Sequence, residues 1–501
     1  MDCITFAVFA QRLSRSVHAR RPALFVIAVF LAAHPAASVQ KEAMPVLSIP
    51  PAIGEIASNR AQQLAAAGYV EQELFIDGVA HAYTTRGEWR SDGVWDVAPG
   101  ETAPYKIRIL ARYPKQPSRF NGVVFVEWLN VSGQSEADPN FTVLQEELLR
   151  DGYGYVGVGA QAAGIFGANG LKKVNADRYA SISHPGDSYS YDIYSQAGRM
   201  IRSPKGPLGP LTGRIRFLLA DGESQSANRM VTYVNAVHPV VQVYDGFFIH
   251  SRVGSGGAPL AQGPGTGLAI SAGPAARIRT DLKVPVFVIQ TESDIPAFVP
   301  ARQPDTARVR TWEITGTAHA DRYLLTGGGT RPMSLSCDEK DPKVNVPVND
   351  GPMTYPMRAA LRHMKRWLAG GAPPPSAPPI LMEGSTIRRD PVTGIAMGGL
   401  RTPQVDVATR TLNGIRVPAG GGQFCFLFGR TDEWNGDADP WDGGSADPSP
   451  TPEPVLTRLY GTKTAYMAKF EQAIAAGVKA GFLLKEDVAA LRTEGGRVQF
   501  K

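Results

Sequence analysis

The chain has 501 residues, of which 43% are hydrophobic and 20% are charged, so it can bury a large core and is neither disordered nor fibrous. Its formal net charge is +6 at pH 7, but the first 38 residues hold four Arg and one Asp, which leaves +3 on the remainder. No block of Lys and Arg interleaved with aromatic residues occurs, so the composition gives no indication of a nucleic-acid partner.

The amino terminus has the pattern of a secretory signal peptide. Arg20 and Arg21 precede an apolar run over residues 23–33, and small residues follow up to Ser38. The apolar run is too short to span a bilayer, although an uncleaved membrane anchor is the alternative. We therefore expect residues 1–38 to be removed, and the mature protein to be periplasmic or secreted without stable insertion in a membrane.

An exported chain would keep two of the three cysteines, Cys337 and Cys425. In an oxidising compartment this pair is a candidate disulfide, and two buried free thiols are the alternative. Neither cysteine has the spacing of a metal site, so we expect no metal there.

Strand-like and helix-like segments alternate from about residue 44 to residue 371. Alternating patterns at residues 70–76 and 105–112 predict antiparallel strands that precede the main sheet. Further strands are predicted at residues 122–128, 154–159, 214–221, 240–249, 284–290 and 310–314, and helices at residues 141–151, 192–201, 227–236 and 358–368. This alternation predicts an α/β fold, with a mostly parallel central sheet covered by helices on both faces.

The domain organisation follows from the same pattern. Residues 39–371 are predicted to form a main domain that begins with the antiparallel strands. The proline-rich run at residues 373–379 is a stiff connector to a C-terminal extension, residues 372–501, which we expect to pack on the main domain. Within this extension, a β-like stretch, a loop rich in Pro, Asp and Gly, and helical segments follow one another.

The segment Gly222-Glu223-Ser224-Gln225-Ser226-Ala227 lies between a predicted strand and a predicted helix. A serine on a sharp strand-to-helix turn exposes its hydroxyl, and the helix N-terminus favours developing negative charge. Ser224 is therefore the candidate nucleophile. Ser226 occupies the position where the usual Gly-x-Ser-x-Gly pattern has glycine, and the alternative is that Ser224 is an ordinary helix N-cap.

A serine nucleophile needs an imidazole base, and His319 directly follows the last predicted strand amid small residues. His184 is the competing base, because its segment could also line a pocket. His250 ends the strand after the serine turn but is followed by no suitable acid, and His81 and His363 are expected to be solvated or to pack.

The orienting carboxylate is expected just after the strand at residues 284–290, where the sequence offers Asp294 and, as the alternative, Glu292. A solvated turn is the other interpretation of both. The order Ser224, Asp294, His319 is the nucleophile, acid, histidine order of α/β-hydrolases.

Five motifs make the chain resemble a family of bacterial and fungal α/β-hydrolase-domain proteins, many of them secreted. The motifs are Val126-Glu127-Trp128-Leu129-Asn130-Val131-Ser132-Gly133, His184-Pro185-Gly186-Asp187-Ser188-Tyr189-Ser190-Tyr191-Asp192, Gly222 to Ala227, Tyr244-Asp245-Gly246-Phe247 and Gly316-Thr317-Ala318-His319-Ala320-Asp321. The resemblance covers nearly all of the mature chain. It implies an α/β-hydrolase fold with the nucleophile at Ser224 and the histidine at His319.

An acyl-transfer site also needs two fixed N–H donors for the oxyanion. We expect one from the backbone of Gln225 and the other from the loop after the strand at residues 122–128, at Asn130 or Leu129. A calcium loop at residues 435–442 is disfavoured, because Pro440 interrupts it and the distal glutamate is missing. The glycine-rich residues 254–273 have no phosphate-loop signature and are expected to form a wall of the pocket.

These observations together predict an exported serine hydrolase that cleaves a small-molecule or polymeric carboxylic ester through an acyl-enzyme and needs no cofactor. An acyltransferase or an amidase would use the same three residues. A secreted binding protein that has lost catalysis but kept the fold is the alternative from another class.

Overall fold

The computed structural model describes residues 44–54, 56–58, 61–260, 273–328, 334–336, 345–415, 425–434 and 455–500. Within these residues, nine strands form one mixed sheet. In chain order its strands are β1 (Val46–Ser48), β2 (Tyr69–Arg86), β3 (Asp96–Pro114), β4 (Val123–Trp128), β5 (Gly154–Val158), β6 (Phe217–Glu223), β7 (Gly246–His250), β8 (Val286–Thr291) and β9 (Val309–Ile314).

The strand order across the sheet is β1-β2-β3-β5-β4-β6-β7-β8-β9. Strands β1, β2, β3 and β5 pair antiparallel, and every pairing from β5 to β9 is parallel. The predicted α/β class and the mostly parallel sheet are confirmed. The N-terminal strands β2 and β3 are longer than predicted and extend the same sheet.

Helices cover both faces of this sheet. The α-helices of the described residues are α1 (Ala61–Ala66), α2 (Pro139–Arg150), α3 (Ala162–Phe166), α4 (Leu171–Val174), α5 (Ser190–Arg202), α6 (Gln225–Thr232), α7 (His238–Val241), α8 (Ile295–Phe298), α9 (Arg322–Leu325), α10 (Thr354–Leu368), α11 (Pro403–Asp406), α12 (Val455–Tyr460), α13 (Lys463–Ala480) and α14 (Val488–Gly496). A π-helical turn, Tyr233–Val237, joins α6 to α7.

Strand β4 shows how the two faces are built. All six of its residues are buried, as expected for a parallel strand between two helical layers. Because side chains alternate along a strand, Val124 and Val126 join the core formed with α5 and α6, whereas Val123 and Phe125 join the core formed with α2 and α10.

One predicted strand is partly helical in the structure. Residues 240–249 were expected to be a single strand, but Val240 and Val241 end the helix α7 and β7 begins only at Gly246. Pro239 occupies the first turn of α7, where its missing N–H costs nothing, and Gln242 ends the helix with φ 46°. An apolar run alone does not distinguish such a helix from a strand.

The proline-rich connector and the residues after it contact the main sheet and its helices. The carbonyl of Pro375 accepts a hydrogen bond from the indole of Trp312 on β9 at 2.8 Å. Tyr355 of α10 shares a buried apolar cluster with Tyr466 and Phe470 of α13. Short strand pairs, β10 (Ser334–Ser336) with β11 (Asn345–Pro347), β12 (Met382–Glu383) with β13 (Thr386–Ile387) and β14 (Arg410–Asn413) with β15 (Arg430–Glu433), complete the described elements.

A buried ion-pair network ties β2 and β3 to the loop segments beside them. Glu73 of β2 accepts hydrogen bonds from Arg108 at 3.3 Å, from Arg178 at 2.8 Å and from the hydroxyl of Tyr179 at 2.7 Å. Glu136 also binds Arg108, whose side chain is only 2% exposed. Removing one partner would leave a desolvated charge without its counterion.

We therefore expect Glu73→Ala to lower the free energy of unfolding by about 3–5 kcal/mol, because Arg108 and Arg178 lose their shared carboxylate. Urea unfolding measures this difference. Glu101→Ala, which removes an exposed carboxylate from β3, is the matched control and should change stability by less than about 0.5 kcal/mol. Equal stability of the two variants would contradict the role given to Glu73.

Candidate active site

Ser224 stands alone between strand β6 and helix α6 in a strained backbone conformation, with φ 59° and ψ −119°. Positive φ is costly for a residue with a side chain and is tolerated where neighbouring structure enforces it. Here the N–H of Ser224 donates to the carbonyl of His250 on β7 at 3.0 Å, which fixes the turn. The predicted strand, sharp turn and helix are therefore present.

The turn is tight at the small residues two positions before and two positions after Ser224, which are Gly222 and Ser226. A Cβ atom added to Gly222 would lie 2.6 Å from the carbonyl oxygen of Ser226, which is backbone and cannot move aside. Ser226 itself is fully buried, and its hydroxyl lies 3.4 Å from the carbonyl oxygen of Leu129. Serine in place of the usual glycine at position 226 therefore fits the turn.

The hydroxyl of Ser224 makes no helix-capping hydrogen bond, so the alternative N-cap interpretation is wrong. Its Oγ lies 2.7 Å from Nε2 of His319, and Nδ1 of His319 lies 2.7 Å from Oδ1 of Asp294. The other carboxylate oxygen of Asp294 accepts from the N–H and the hydroxyl of Thr291 at 2.9 and 2.7 Å. The structure thus brings the three predicted residues into one hydrogen-bonded chain.

The sheet topology explains this meeting of distant residues. Ser224 follows β6, Asp294 closes the turn Glu292–Asp294 after β8, and His319 lies in the loop after β9. Since these strands are parallel, their carboxyl ends lie along the same edge of the sheet.

The charges in the site favour a strongly basic imidazole. Burial works against a charged ring, but the carboxylates of Asp294 and Glu223 outweigh it and raise the pKa of His319 to about 9. Burial also works against an ionised Asp294, but the charge of His319 and the hydrogen bonds from His319 and Thr291 hold the pKa of Asp294 below its usual value. An ionised Asp294 and a charged His319 can share the proton between Oδ1 of Asp294 and Nδ1 of His319.

Glu292, the alternative acid, does not contact His319. Its two carboxylate oxygens accept from the N–H of Gly316 at 2.8 Å, from the N–H of Gly414 at 3.0 Å and from Arg389 at 2.8 Å. Glu292 thereby fastens the start of the His319 loop to the C-terminal part of the chain. Of the two candidate acids, Asp294 is therefore the one that lies within hydrogen-bond distance of the His319 ring.

The same loop has further contacts with residues late in the sequence. The N–H of Ala320 donates to the carbonyl of Leu427 at 3.0 Å, and the side chain of Asn349 donates to the carbonyls of Gly316 and Asn413, both at 3.2 Å. Residues beyond the proline-rich connector therefore support the position of His319.

The expected oxyanion donors are only partly available. Gln225 is the first residue of α6, where a backbone N–H has no intrahelical acceptor. The N–H groups of Leu129 and Asn130 instead donate to the carbonyls of Val158 at 3.1 Å and Ala137 at 2.9 Å, so the prediction for these two residues is wrong. The next residue, Val131, is buried, and its N–H has no acceptor among the described residues.

Sequence reasoning missed one residue of the site, Glu223. Its Oε1 lies 3.2 Å from Nε2 of His319, and the side-chain amide of Asn130 donates to its Oε2 at 3.1 Å. Burial raises the pKa of Glu223 to about 7, against the opposing effect of His319. The sequence signal that could have identified Glu223 is a charged residue between two small ones, Gly222 and Ser224, in a turn that must be buried.

The competing histidines have other partners. Nε2 of His184 lies 2.9 Å from the carbonyl oxygen of Ala160, and its Nδ1 accepts from the N–H of Gly186 at 3.1 Å. Both ring nitrogens of His184 thus have backbone partners, whereas Nε2 of His319 lies at the hydroxyl of Ser224. His250 is buried with Nδ1 2.7 Å from Oδ1 of Asn140, and burial lowers its pKa to about 3.

Several sequence predictions lie outside the described residues. These include Cys337, so the Cys337–Cys425 disulfide stays a prediction; Cys425 itself is buried at the start of a single 3-10 turn. The segments 261–272 and 435–442 and the leader are also outside the described residues.

Within the described ranges, no group of three or more His, Cys, Asp or Glu is arranged to hold a metal ion, and no helix is long and apolar enough to cross a membrane.

The turn geometry leads to a prediction for Gly222→Ala. The added methyl group would collide with the backbone of Ser226 and displace Ser224, so we expect the rate of reaction at Ser224 to fall by about 100-fold or more. The second-order rate of labelling by a fluorophosphonate measures this. Gly213→Ala, where an added Cβ meets open space, is the control and should react at the parental rate.

The chain matches one protein family and resembles several solved structures. The profile of the family described as alpha/beta hydrolase domain matches residues 34–493. No curated protein sequence matches the chain significantly. Similar solved structures include an α/β serine hydrolase without lid from Xanthomonas campestris (13% identity, 44% of this chain and 82% of that chain, TM-score 0.28) and a glucuronoyl esterase from Teredinibacter turnerae (14% identity, 54% and 74%, TM-score 0.27). On the family match, which spans most of its length, this chain belongs to the α/β hydrolase domain family.

Proposed function

We propose that the protein is an exported serine hydrolase that cleaves carboxylic esters through an acyl-enzyme intermediate. The observation that carries the proposal is the hydrogen-bonded chain from Ser224 through His319 to Asp294, with both links 2.7 Å long and the serine on a strained turn. A serine hydroxyl is a weak nucleophile until a base at this distance removes its proton.

The geometry supports the following sequence of steps. Oγ of Ser224 attacks the ester carbonyl carbon while its proton passes to Nε2 of His319. Asp294 holds the ring with Nδ1 protonated and stabilises the imidazolium. The proton then passes to the leaving alkoxide as the carbon–oxygen bond breaks, and water attacks the acyl-enzyme by the same route in reverse.

The oxyanion formed in each step requires donors that are in place beforehand. We assign the N–H of Gln225 as the first donor, because Gln225 follows Ser224 directly at the start of α6. We assign the N–H of Val131 as the second, because Val131 follows Asn130, whose amide lies 3.1 Å from the backbone oxygen of Glu223, and the Val131 N–H has no acceptor among the described residues. Each such donor contributes about 3–4 kcal/mol to the stability of the transition state.

Esters are favoured over amides because an alkoxide leaving group needs less help from the imidazolium than an amine does. Export rests on the basic and apolar pattern of residues 1–38. Transfer of the acyl group to an alcohol or amine would use the same residues, and product analysis with an added acceptor distinguishes it from hydrolysis.

The direct test is ester hydrolysis by the purified mature protein and its Ser224→Ala variant. On short p-nitrophenyl esters of increasing acyl length we expect Ser224→Ala to lower kcat/KM by at least about 1,000-fold. Ser226→Ala, which removes a buried hydroxyl two residues away, is the matched control and should remain within about tenfold of the parent. Hydrolysis at the parental rate by Ser224→Ala would refute the proposal.

The site also predicts an alkaline pH optimum. Only the neutral ring of His319 can accept the proton of Ser224, and the pKa of this ring is raised to about 9. We expect kcat/KM to rise with pH until about pH 9 and then to level off. A profile that levels off below pH 7 would show that the carboxylates do not act on the ring as the structure indicates.

A further inference from the structure

The site contains a second carboxylate on the opposite side of the imidazole from Asp294. Glu223, the last residue of β6, directly precedes the nucleophile, and its side chain is 5% exposed. Its Oε1 lies 3.2 Å from Nε2 of His319, the same atom that lies 2.7 Å from the hydroxyl of Ser224. The nitrogen that receives the transferred proton therefore faces both a hydroxyl and a carboxylate.

Asn130 holds this carboxylate in place. Its side-chain Nδ2 lies 3.1 Å from Oε2 and 3.1 Å from the backbone oxygen of Glu223. The amide of Asn130 is oriented in turn, because its Oδ1 accepts from the N–H of Ser132 at 2.8 Å. The amide group thus engages one carboxylate oxygen of Glu223, and the other carboxylate oxygen faces the ring.

We propose that Glu223 is a catalytic residue, whose ionised carboxylate stabilises the imidazolium formed at Nε2 when His319 takes the proton of Ser224. The inference rests on the proposed function. Glu223 itself gains and loses no proton in this step: the proton moves from Oγ to Nε2 as the oxygen–carbon bond forms, and later from Nε2 to the leaving oxygen. The carboxylate lowers the free energy of the charged ring between these transfers.

The other charged groups around the pair are consistent with this role. Asp294 faces Nδ1, so the imidazolium would lie between two carboxylates. His250 on β7 is buried with its pKa lowered to about 3, and burial together with Glu127 raises the pKa of Asp221 on β6 well above its usual value. His250 and Asp221 are therefore uncharged and do not stabilise the charge on His319 in place of Glu223. Glu223, with a pKa of about 7, is ionised at alkaline pH.

Glu223→Gln keeps the shape of the side chain and removes its charge. If Glu223 acts as proposed, the acid limb of the kcat/KM profile moves down by about 1–3 pH units, because a nearby opposite charge raises a pKa by that amount. The plateau rate falls as well, by at most tenfold for each unit of the shift, since the weaker base stabilises the transition state less. An acid limb that stays at the parental pH would overturn the proposal.

The Glu223→Asp variant distinguishes the effect of the carboxylate charge from a structural effect of changing the side chain. This variant keeps the carboxylate but withdraws it by one methylene group, so its acid limb should fall between those of the parent and of Glu223→Gln. If Glu223→Gln does not fold, the downward shift in Glu223→Asp is the deciding observation, and its absence overturns the proposal.

An NMR titration of His319, which needs no catalytic turnover, tests this inference separately from the proposed function. The ring of His319 can be titrated by NMR in Ser224→Ala and in Ser224→Ala/Glu223→Gln, with the signal assigned by its loss in a His319→Gln variant. We expect the pKa of His319 to be lower by about 1–3 units in the double variant. Equal values would refute the role of Glu223, whereas hydrolysis by Ser224→Ala would refute the proposed function and leave the titration result standing.

Discussion

The structure of the site depends on one constrained turn, in which Ser224 adopts φ 59° between strand β6 and helix α6. A side chain at this backbone angle is unfavourable by about 1–3 kcal/mol, so the surrounding structure must enforce it. The hydrogen bond to the carbonyl of His250 and the absence of a side chain at Gly222 do so. The same turn aims the hydroxyl of Ser224 at His319 and places the carboxylate of Glu223 against the same ring.

Three buried acidic residues near this turn have different tasks, which their partners determine. Asp294 faces the histidine ring at Nδ1, and Glu223 faces it at Nε2. Glu292 is paired with Arg389 and with backbone N–H groups, so it fixes the loop without acting on the ring. Residues after the proline-rich connector complete the support of that loop, through Asn413, Gly414 and Leu427.

Much of this arrangement could be predicted from the sequence, because it follows from chain order and strand ends. Ser224, Asp294 and His319 each come just after a buried apolar strand, and parallel strands bring such positions to one edge. The sequence favoured Asp294 but could not exclude Glu292, since both lie within one turn and only the packed structure shows which carboxylate lies at the ring.

Other features depend on long-range geometry that has no local pattern. The N–H groups of Leu129 and Asn130 were expected to be free, but a loop bridge to Ala137 and a contact with Val158 use them. The side chain of Glu223 lies between Asn130 and His319, which come from distant parts of the chain, and local propensity does not encode such contacts. The apolar run at residues 240–249 divided into a helix end and a strand because Pro239 and Gln242 permitted it.

The central claim is that Ser224 is a nucleophile activated by His319. The most direct measurement is the intact mass of the folded protein after treatment with a fluorophosphonate, followed by peptide mapping of the adduct. The account predicts one adduct, located on Ser224, that forms at least about 1,000-fold more slowly in a His319→Gln variant. A folded protein that gains no adduct at Ser224, or gains it at the same rate without His319, would contradict the account.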